Sequence, residues 1–111
     1  MTSHYEIEDL KKFGKIGTHG KEHADLFFKY YNEVTGQDGA LSKREKALIA
    51  LAIAHSEKCP YCIDAYTTAC LEAGANPAQM TEAVHVAAAM KAGITLVHMV
   101  QMNNHLDKLV L

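Results

Sequence analysis

Two cysteines separated by two residues, Cys59 and Cys62, are the residues of this sequence best suited by type and spacing to chemistry. Pro60 follows the first of them, and proline favours the first turn of a helix. In such a turn the spacing brings both sulfurs to one face, close enough to bridge. The unpaired backbone N–H groups and the helix dipole favour an anion there, which lowers a thiol pKa and raises the thiolate fraction. The pattern predicts a redox pair, in which one cysteine attacks a peroxide or disulfide and the other resolves the intermediate.

Two other interpretations of this cysteine pair stay open. A structural zinc ion would need two of the seven histidines as further ligands, but no second Cys-x-x-Cys or close histidine pair completes the usual spacing. The two cysteines would otherwise be ordinary buried residues. The third cysteine, Cys70, lies in an apolar helical run and is expected to have an inert packing role.

Helical periodicity recurs along the chain and strand alternation does not, which predicts an all-α bundle of about five or six helices in a single domain, residues 1–111. A thioredoxin fold is not expected, because the residues before the cysteines read as helix rather than strand. Glycines and the caps Ser42 and Asn76 set the expected ends of the elements. The expected helices are 7–13, 21–34, 42–56, 59–73, 80–92 and 94–109, with Gly93 as a break.

The composition limits the partners of the chain. Hydrophobic residues make up 49% of its 111 residues, so we expect apolar surface that a second copy covers. The net charge is -2 and no basic stripe is present, which argues against nucleic acid. No run of 18 apolar residues occurs, so a membrane span is not expected. The polar, acidic start, 1–9, is unlike a secretory signal, and the expected location is the cytoplasm.

Several segments resemble the core of the AhpD-like (alkylhydroperoxidase / carboxymuconolactone decarboxylase) family. They are the run 41–52, the Cys-Pro-Tyr-Cys motif at 59–62, and the short segments Ala73-Gly74-Ala75 and Glu82-Ala83-Val84, within a dithiol core of about 41–92. The run from Cys59 to Tyr66 and the surroundings of His85 and His98 are most similar to a subgroup described as arsenosugar biosynthesis-associated, peroxidase-like proteins.

The resemblance implies a helical homo-oligomer, a trimer or hexamer, that reduces hydroperoxides with its dithiol. It implies that Cys62 attacks the peroxide, that Cys59 resolves the intermediate, and that an external thiol protein regenerates the pair. The residues alone do not decide between the two cysteines, and the position of Cys59 at the helix start is an argument for Cys59. No bound cofactor or metal is expected.

The sequence departs from the family at its proton relay. A glutamate twelve residues before the first cysteine and a histidine four residues after the second are replaced by Ala47 and Tyr66. Tyr66 lies one turn beyond Cys62 on the same face, where its hydroxyl can hydrogen-bond a thiolate or an oxygen. With an ordinary pKa of about 10 it is a poor base at neutral pH. We therefore expect the loss of this relay to affect peroxide reduction more than the cycling of the two cysteines between dithiol and disulfide.

Other residues are candidates for the place of this relay. His55, four residues before Cys59, is placed to accept a proton or to stabilise a thiolate, unless it serves as a cap or surface residue. Glu45 and His85 are possible supporting residues, although a capping box explains Glu45 and core hydrogen bonding is common for a histidine such as His85. A strip of polar residues on the last helix reads as solvated surface, a subunit contact or a pocket wall: His98, Gln101 and His105.

We therefore expect a peroxidase-type thiol–disulfide oxidoreductase that acts on a hydroperoxide or another small oxidised molecule. Two alternatives come from other functional classes. One is a lactone decarboxylase that does not depend on the cysteines. The other is non-enzymatic binding of zinc or trivalent arsenic by the two thiolates, which suit soft metals and metalloids.

Overall fold

The computed structural model describes residues 6–109 and confirms the all-α prediction for that part of the chain. A 3-10 helix precedes five α-helices. The 3-10 helix is Ile7–His19, and the α-helices are α1 (Lys21–Thr35), α2 (Lys43–Ser56), α3 (Pro60–Glu72), α4 (Pro77–Val97) and α5 (Met99–Leu109). Helix α2 is central, because it packs against both α3 and α4.

The core lies where α2, α3 and α4 meet. Leu51 and Cys70 are almost fully enclosed there, with the small residues Ala47 and Ala75 beside them. Small side chains let helix backbones approach closely. Cys70 is thus a packing residue, as its apolar helical surroundings predict, and its burial raises its thiol pKa.

Side-chain caps fix the start of two of these helices. The Glu45 N–H donates to Ser42 Oγ at 3.1 Å, and the Ser42 N–H donates to Glu45 Oε1 at 2.9 Å. The predicted capping box is therefore confirmed, and these hydrogen bonds lower the pKa of the Glu45 carboxyl. Helix α4 begins with the same arrangement between Asn76 and Gln79, at 2.8 and 3.0 Å. Each box satisfies N–H groups that a helix start leaves unpaired.

Three glycines do not end helices as the sequence analysis expects. Helix α4 continues through Gly93 to Val97, and the chain turns at His98 instead. The 3-10 helix likewise continues through Gly14 and Gly17 to His19. A glycine inside a helix costs only about 1 kcal/mol relative to alanine, so the surrounding helix formers outweigh it.

The C-terminal part of the fold projects from the core. Every residue from 88 to 109 is exposed, and the radius of gyration is 19.1 Å, against about 13 Å for a compact domain of this size. The exposed part includes large apolar side chains: Met90, Ile94, Leu96, Val97, Val100 and Leu106. This single chain leaves that apolar face uncovered.

The same segment, Pro77–Leu109, is long and apolar enough to cross a membrane by length and composition, with a mean hydropathy of 1.5. The sequence expectation against a span rested on uninterrupted apolar runs, and polar residues such as Lys91 and His98 interrupt this one. One such helix is weak evidence for a span, because the core helix of a soluble protein meets the same criterion; in this single chain, however, none of the apolar window is buried.

Candidate functional site

The turn between α2 and α3 places the cysteine pair. Helix α2 ends at Ser56, and Lys58 adopts a left-handed backbone conformation with φ of 57°. The Cys59 N–H then donates to the Ala54 carbonyl oxygen at 2.9 Å, which satisfies one of the last carbonyls of α2. This tight reversal sets Cys59 directly before α3.

Both predicted redox cysteines lie in the first turn of α3. Cys59 is the N-cap residue, and its Sγ accepts a hydrogen bond from the Cys62 backbone N–H at 3.3 Å. The two sulfurs are joined in a disulfide, with Cα atoms 5.2 Å apart. Both cysteines are half-buried, so the pair is enclosed but within reach of a small molecule.

A cavity of about 300 Å³ covers the disulfide and is mostly apolar. Helix α3 forms its floor, and α1 and the N-terminal 3-10 helix form its walls. Three apolar residues from the 3-10 helix line it: Leu10, Phe13 and Ile16. Sequence reasoning missed this wall, although a spacing of three residues is the signal for one face of a 3-10 helix.

Aromatic packing attaches the 3-10 helix to α1. The ring of Phe13 lies edge-on to those of Phe28, Phe27 and Tyr31, with centroid distances of 5.0, 6.1 and 6.1 Å. Edge-to-face contacts at such distances are favourable for aromatic pairs. The cluster therefore holds both walls of the cavity together.

Tyr66 stands on the cavity one turn after Cys62, as predicted, and its hydroxyl is hydrogen-bonded to the Tyr31 hydroxyl of α1. Burial, followed by this contact, raises the Tyr66 pKa above its ordinary value. Tyr66 is therefore a protonated phenol that offers hydrogen bonds, and it is no base at neutral pH. Sequence reasoning did not single out Tyr31, which lies 35 residues earlier in the chain.

Two charged residues of the 3-10 helix also line the cavity that covers the disulfide, which we call the dithiol cavity. They are Asp9 and Lys12, and the Lys12 Nζ lies 2.9 Å from Asp9 Oδ1. The ion pair raises the Lys12 pKa. The carboxylate of Asp9 is thus paired with a cation on the same helix. Nothing in the spacing of this polar segment indicated that it would face the cysteines.

Ala47 and Tyr66, the two positions of the altered relay, face a common space. Both line a second cavity of about 250 Å³ on the other side of Tyr66, together with Thr35 and the lysines Lys43 and Lys46. The fold thus brings the two relay positions together, as the resemblance implies. Their side chains, a methyl group and a protonated phenol, do not form a proton-accepting chain.

His55 lies on a separate cavity, between α2 and α4, rather than on the one that covers the disulfide. Its Nδ1 is 2.9 Å from the Leu51 carbonyl oxygen, which can only accept, so this nitrogen donates the hydrogen bond. His55 is half-buried in this position. A role for it in the dithiol chemistry stays a prediction.

None of the remaining candidates lines the cavity that covers the disulfide. Glu45 is held in the capping box of α2, and His85 is exposed on α4. The polar strip His98, Gln101 and His105 lines an open groove of about 550 Å³ along the end of α4 and α5. Among residues 6–109, no group of three or more histidine, cysteine or acidic residues is arranged to hold a metal ion.

Comparison with known proteins agrees with this geometry. The sequence profile of the carboxymuconolactone decarboxylase family matches residues 21–102, from the start of α1 into α5. The chain is also 43% identical over 74 residues to a protein of Paracoccus denitrificans described as "Uncharacterized protein 4 in cox locus", which covers 67% of each chain. The 3-10 helix lies before the matched region. On the strength of both similarities, this chain belongs to the carboxymuconolactone decarboxylase family.

Proposed function

We propose that this protein is a peroxidase-type thiol–disulfide oxidoreductase that cycles Cys59 and Cys62 between dithiol and disulfide. One observation carries the proposal: the two sulfurs are bonded at the start of α3, beneath a cavity large enough for a small molecule. Membership of a family that includes peroxidases supports it. A buried structural disulfide would have no need of such a cavity.

The reaction balances with the two thiols alone. A thiolate attacks one oxygen of a hydroperoxide, the O–O bond breaks, and a sulfenic acid and an alcohol form once the leaving oxygen takes a proton. The second thiol attacks the sulfenic sulfur, which forms the disulfide and releases water. An external thiol protein then reduces the disulfide by exchange through a mixed disulfide.

The family pattern assigns peroxide attack to Cys62 and resolution to Cys59, and in this division the charge that the helix start stabilises lies on the resolving sulfur. Cys59 Sγ accepts the Cys62 N–H, so a negative charge on Cys59 is stabilised at the helix start. A resolving thiolate that needs no separate base suits a site whose usual relay is replaced. In the reductive step the same stabilised sulfur is a good leaving group.

The proposal also includes the subgroup of the family to which the protein belongs and its oligomeric state. Similarity of residues 59–66 and of the surroundings of His85 and His98 supports the arsenosugar biosynthesis-associated, peroxidase-like subgroup. The exposed apolar face of 88–109 supports association with further copies of the chain, for which the family resemblance implies a homotrimer or homohexamer, and the cytoplasm is the proposed location. A second copy suits this face better than a bilayer, because charged Lys91 at the middle of a span costs about 3 kcal/mol.

A thiol count tests the proposed activity. The reduced, denatured chain has three cysteines to alkylate, and one equivalent of hydroperoxide should leave only Cys70 alkylated while the peroxide disappears. Cys59→Ser and Cys62→Ser variants should lose turnover. Persistent peroxide with both thiols still reduced would refute the proposal. If trivalent arsenic then protected the two thiols from alkylation, metalloid binding would replace the peroxidase proposal. Decarboxylation of a lactone-type acid that persisted in both serine variants would instead point to a cysteine-independent decarboxylase.

A further inference from the structure

Two tyrosine hydroxyls meet on the wall of the dithiol cavity. Tyr31 comes from α1 and Tyr66 from α3, and both line the same space as Cys59 and Cys62. In a pair of hydroxyls, one proton is used in the bond between them and the other stays free to donate. The Tyr66 hydroxyl also contacts the Thr35 side chain on the second cavity, whereas Tyr31 lines the dithiol cavity and not the second one. When Tyr66 donates within the pair, the Tyr31 proton is therefore the free one, and it borders the dithiol cavity.

Tyr61 also lines the cavity and is treated in the test below, whereas the charged pair on the cavity does not offer the same donor. The Lys12 ammonium is bound by Asp9 and its side chain is 76% exposed to solvent. Most of the remaining lining is apolar, so a hydrogen bond given within the cavity has little competition from neighbouring dipoles. The tyrosine pair is therefore placed where a developing charge on oxygen needs a donor.

The ring of Tyr31 is held firmly. It contacts Phe27 with ring centroids 5.4 Å apart and Phe13 with centroids 6.1 Å apart. The backbone carbonyl of Tyr31 accepts a hydrogen bond from Thr35 Oγ1 at 2.8 Å. A donor fixed in this way loses little freedom when the reaction occurs, which is what makes preorganised hydrogen bonds effective.

We propose that Tyr31 is a functional residue of the dithiol site, where it forms with Tyr66 a donor pair that gives one hydrogen bond to the oxygen leaving the cleaved peroxide. This inference rests on the proposed peroxidase function. As the thiolate takes one oxygen, the O–O electron pair goes to the leaving oxygen. The pair stabilises that negative charge until the oxygen takes up the proton that the attacking thiol lost when it became a thiolate, while the proton of the second thiol leaves later in the released water.

The proposal is tested by comparing two oxidants whose leaving oxygens differ in basicity. An alkoxide from tert-butyl hydroperoxide is strongly basic and needs the donor, whereas acetate from peracetic acid is weakly basic and hardly needs it. We would measure single-turnover loss of the dithiol with both oxidants, in wild type, Tyr31→Phe, Tyr66→Phe and the double variant. Tyr30→Phe is the matched control, since Tyr30 neighbours Tyr31 but is 67% exposed and does not border the cavity.

We expect Tyr31→Phe and Tyr66→Phe each to lower the ratio of the two rates, tert-butyl hydroperoxide over peracetic acid, by roughly tenfold to a hundredfold, as for loss of a hydrogen bond to a charged group. The double variant should be little worse than the stronger single variant, because coupled residues are not additive. Tyr30→Phe should leave the ratio unchanged. The ratio is insensitive to partial unfolding, because both rates come from the same folded molecules.

The outcomes separate this inference from the function on which it rests. If wild type reacts with neither oxidant, the peroxidase proposal fails and the donor pair fails with it. If wild type reacts with both and Tyr31→Phe keeps the wild-type ratio, only the donor pair is overturned. A Tyr61→Phe variant that lowered the ratio equally would also overturn it, since any hydroxyl on the cavity would then serve.

Discussion

The reduced protein should carry its more reactive thiolate on Cys59. Both cysteines lie in the first turn of α3 and share the favourable helix terminus, so the dipole does little to distinguish them. The difference comes from the Cys62 N–H, which donates to Cys59 Sγ at 3.3 Å. A hydrogen bond to a charged group contributes about 1.5–3 kcal/mol, and we take the lower end because the site is half-exposed. That value corresponds to roughly a tenfold larger thiolate population at a fixed pH.

The assay compares single-cysteine reactivities. Iodoacetamide alkylation at neutral pH would be followed by mass spectrometry in reduced Cys59→Ser and Cys62→Ser proteins, each with one of the two thiols. Serine is also a good N-cap, so Cys59→Ser keeps α3 capped, and the Cys62→Ser backbone N–H still reaches Cys59. We expect Cys59 to react roughly tenfold faster than Cys62. Equal rates, or a faster Cys62, would refute the reasoning from the capping hydrogen bond.

Three further predictions concern stability and assembly. Cys70→Ser should lower the free energy of unfolding in urea by about 1–3 kcal/mol, because it places a hydroxyl at a fully enclosed site; a neutral effect would contradict the packing role. The Glu45 carboxyl has a lowered pKa when folded, so its stabilisation is present above pH 4.5 and is lost as the pH falls. Glu45→Gln should therefore weaken the acid dependence of the melting temperature, and an unchanged profile would exclude this contribution. Ile94→Asp on the exposed face should reduce the mass measured by light scattering to that of one chain, with exposed Glu33→Asp as control, and an unchanged mass would place the interface elsewhere.

Local sequence signals predicted the start of a helix correctly where one or two residues decide it. Cys59 at the cap with Pro60 after it set the start of α3, and Ser42 with Glu45 set that of α2. The predicted helix break at Gly93 was wrong, because one glycine destabilises a helix only slightly compared with the long run of helix-forming residues around it. The residues that form the walls of the dithiol cavity were not predicted, for a different reason. Tyr31 meets Tyr66 only through the tertiary packing of α1, and periodicity within one helix carries no information about that contact.

In this site, different groups can perform the two tasks that a proton relay performs in the other family members. A relay must help a thiol become a thiolate, and it must help an oxygen leave. In this fold a backbone N–H of α3 favours the charge on Cys59, so it performs the first task for the resolving thiol of the family pattern. The hydroxyl pair of Tyr31 and Tyr66 offers a hydrogen bond, which suits the second task. Replacing glutamate and histidine by Ala47 and Tyr66 therefore removes a base but not the means of either step, and the two functions should fail separately when Tyr31→Phe and Cys59→Ser are compared.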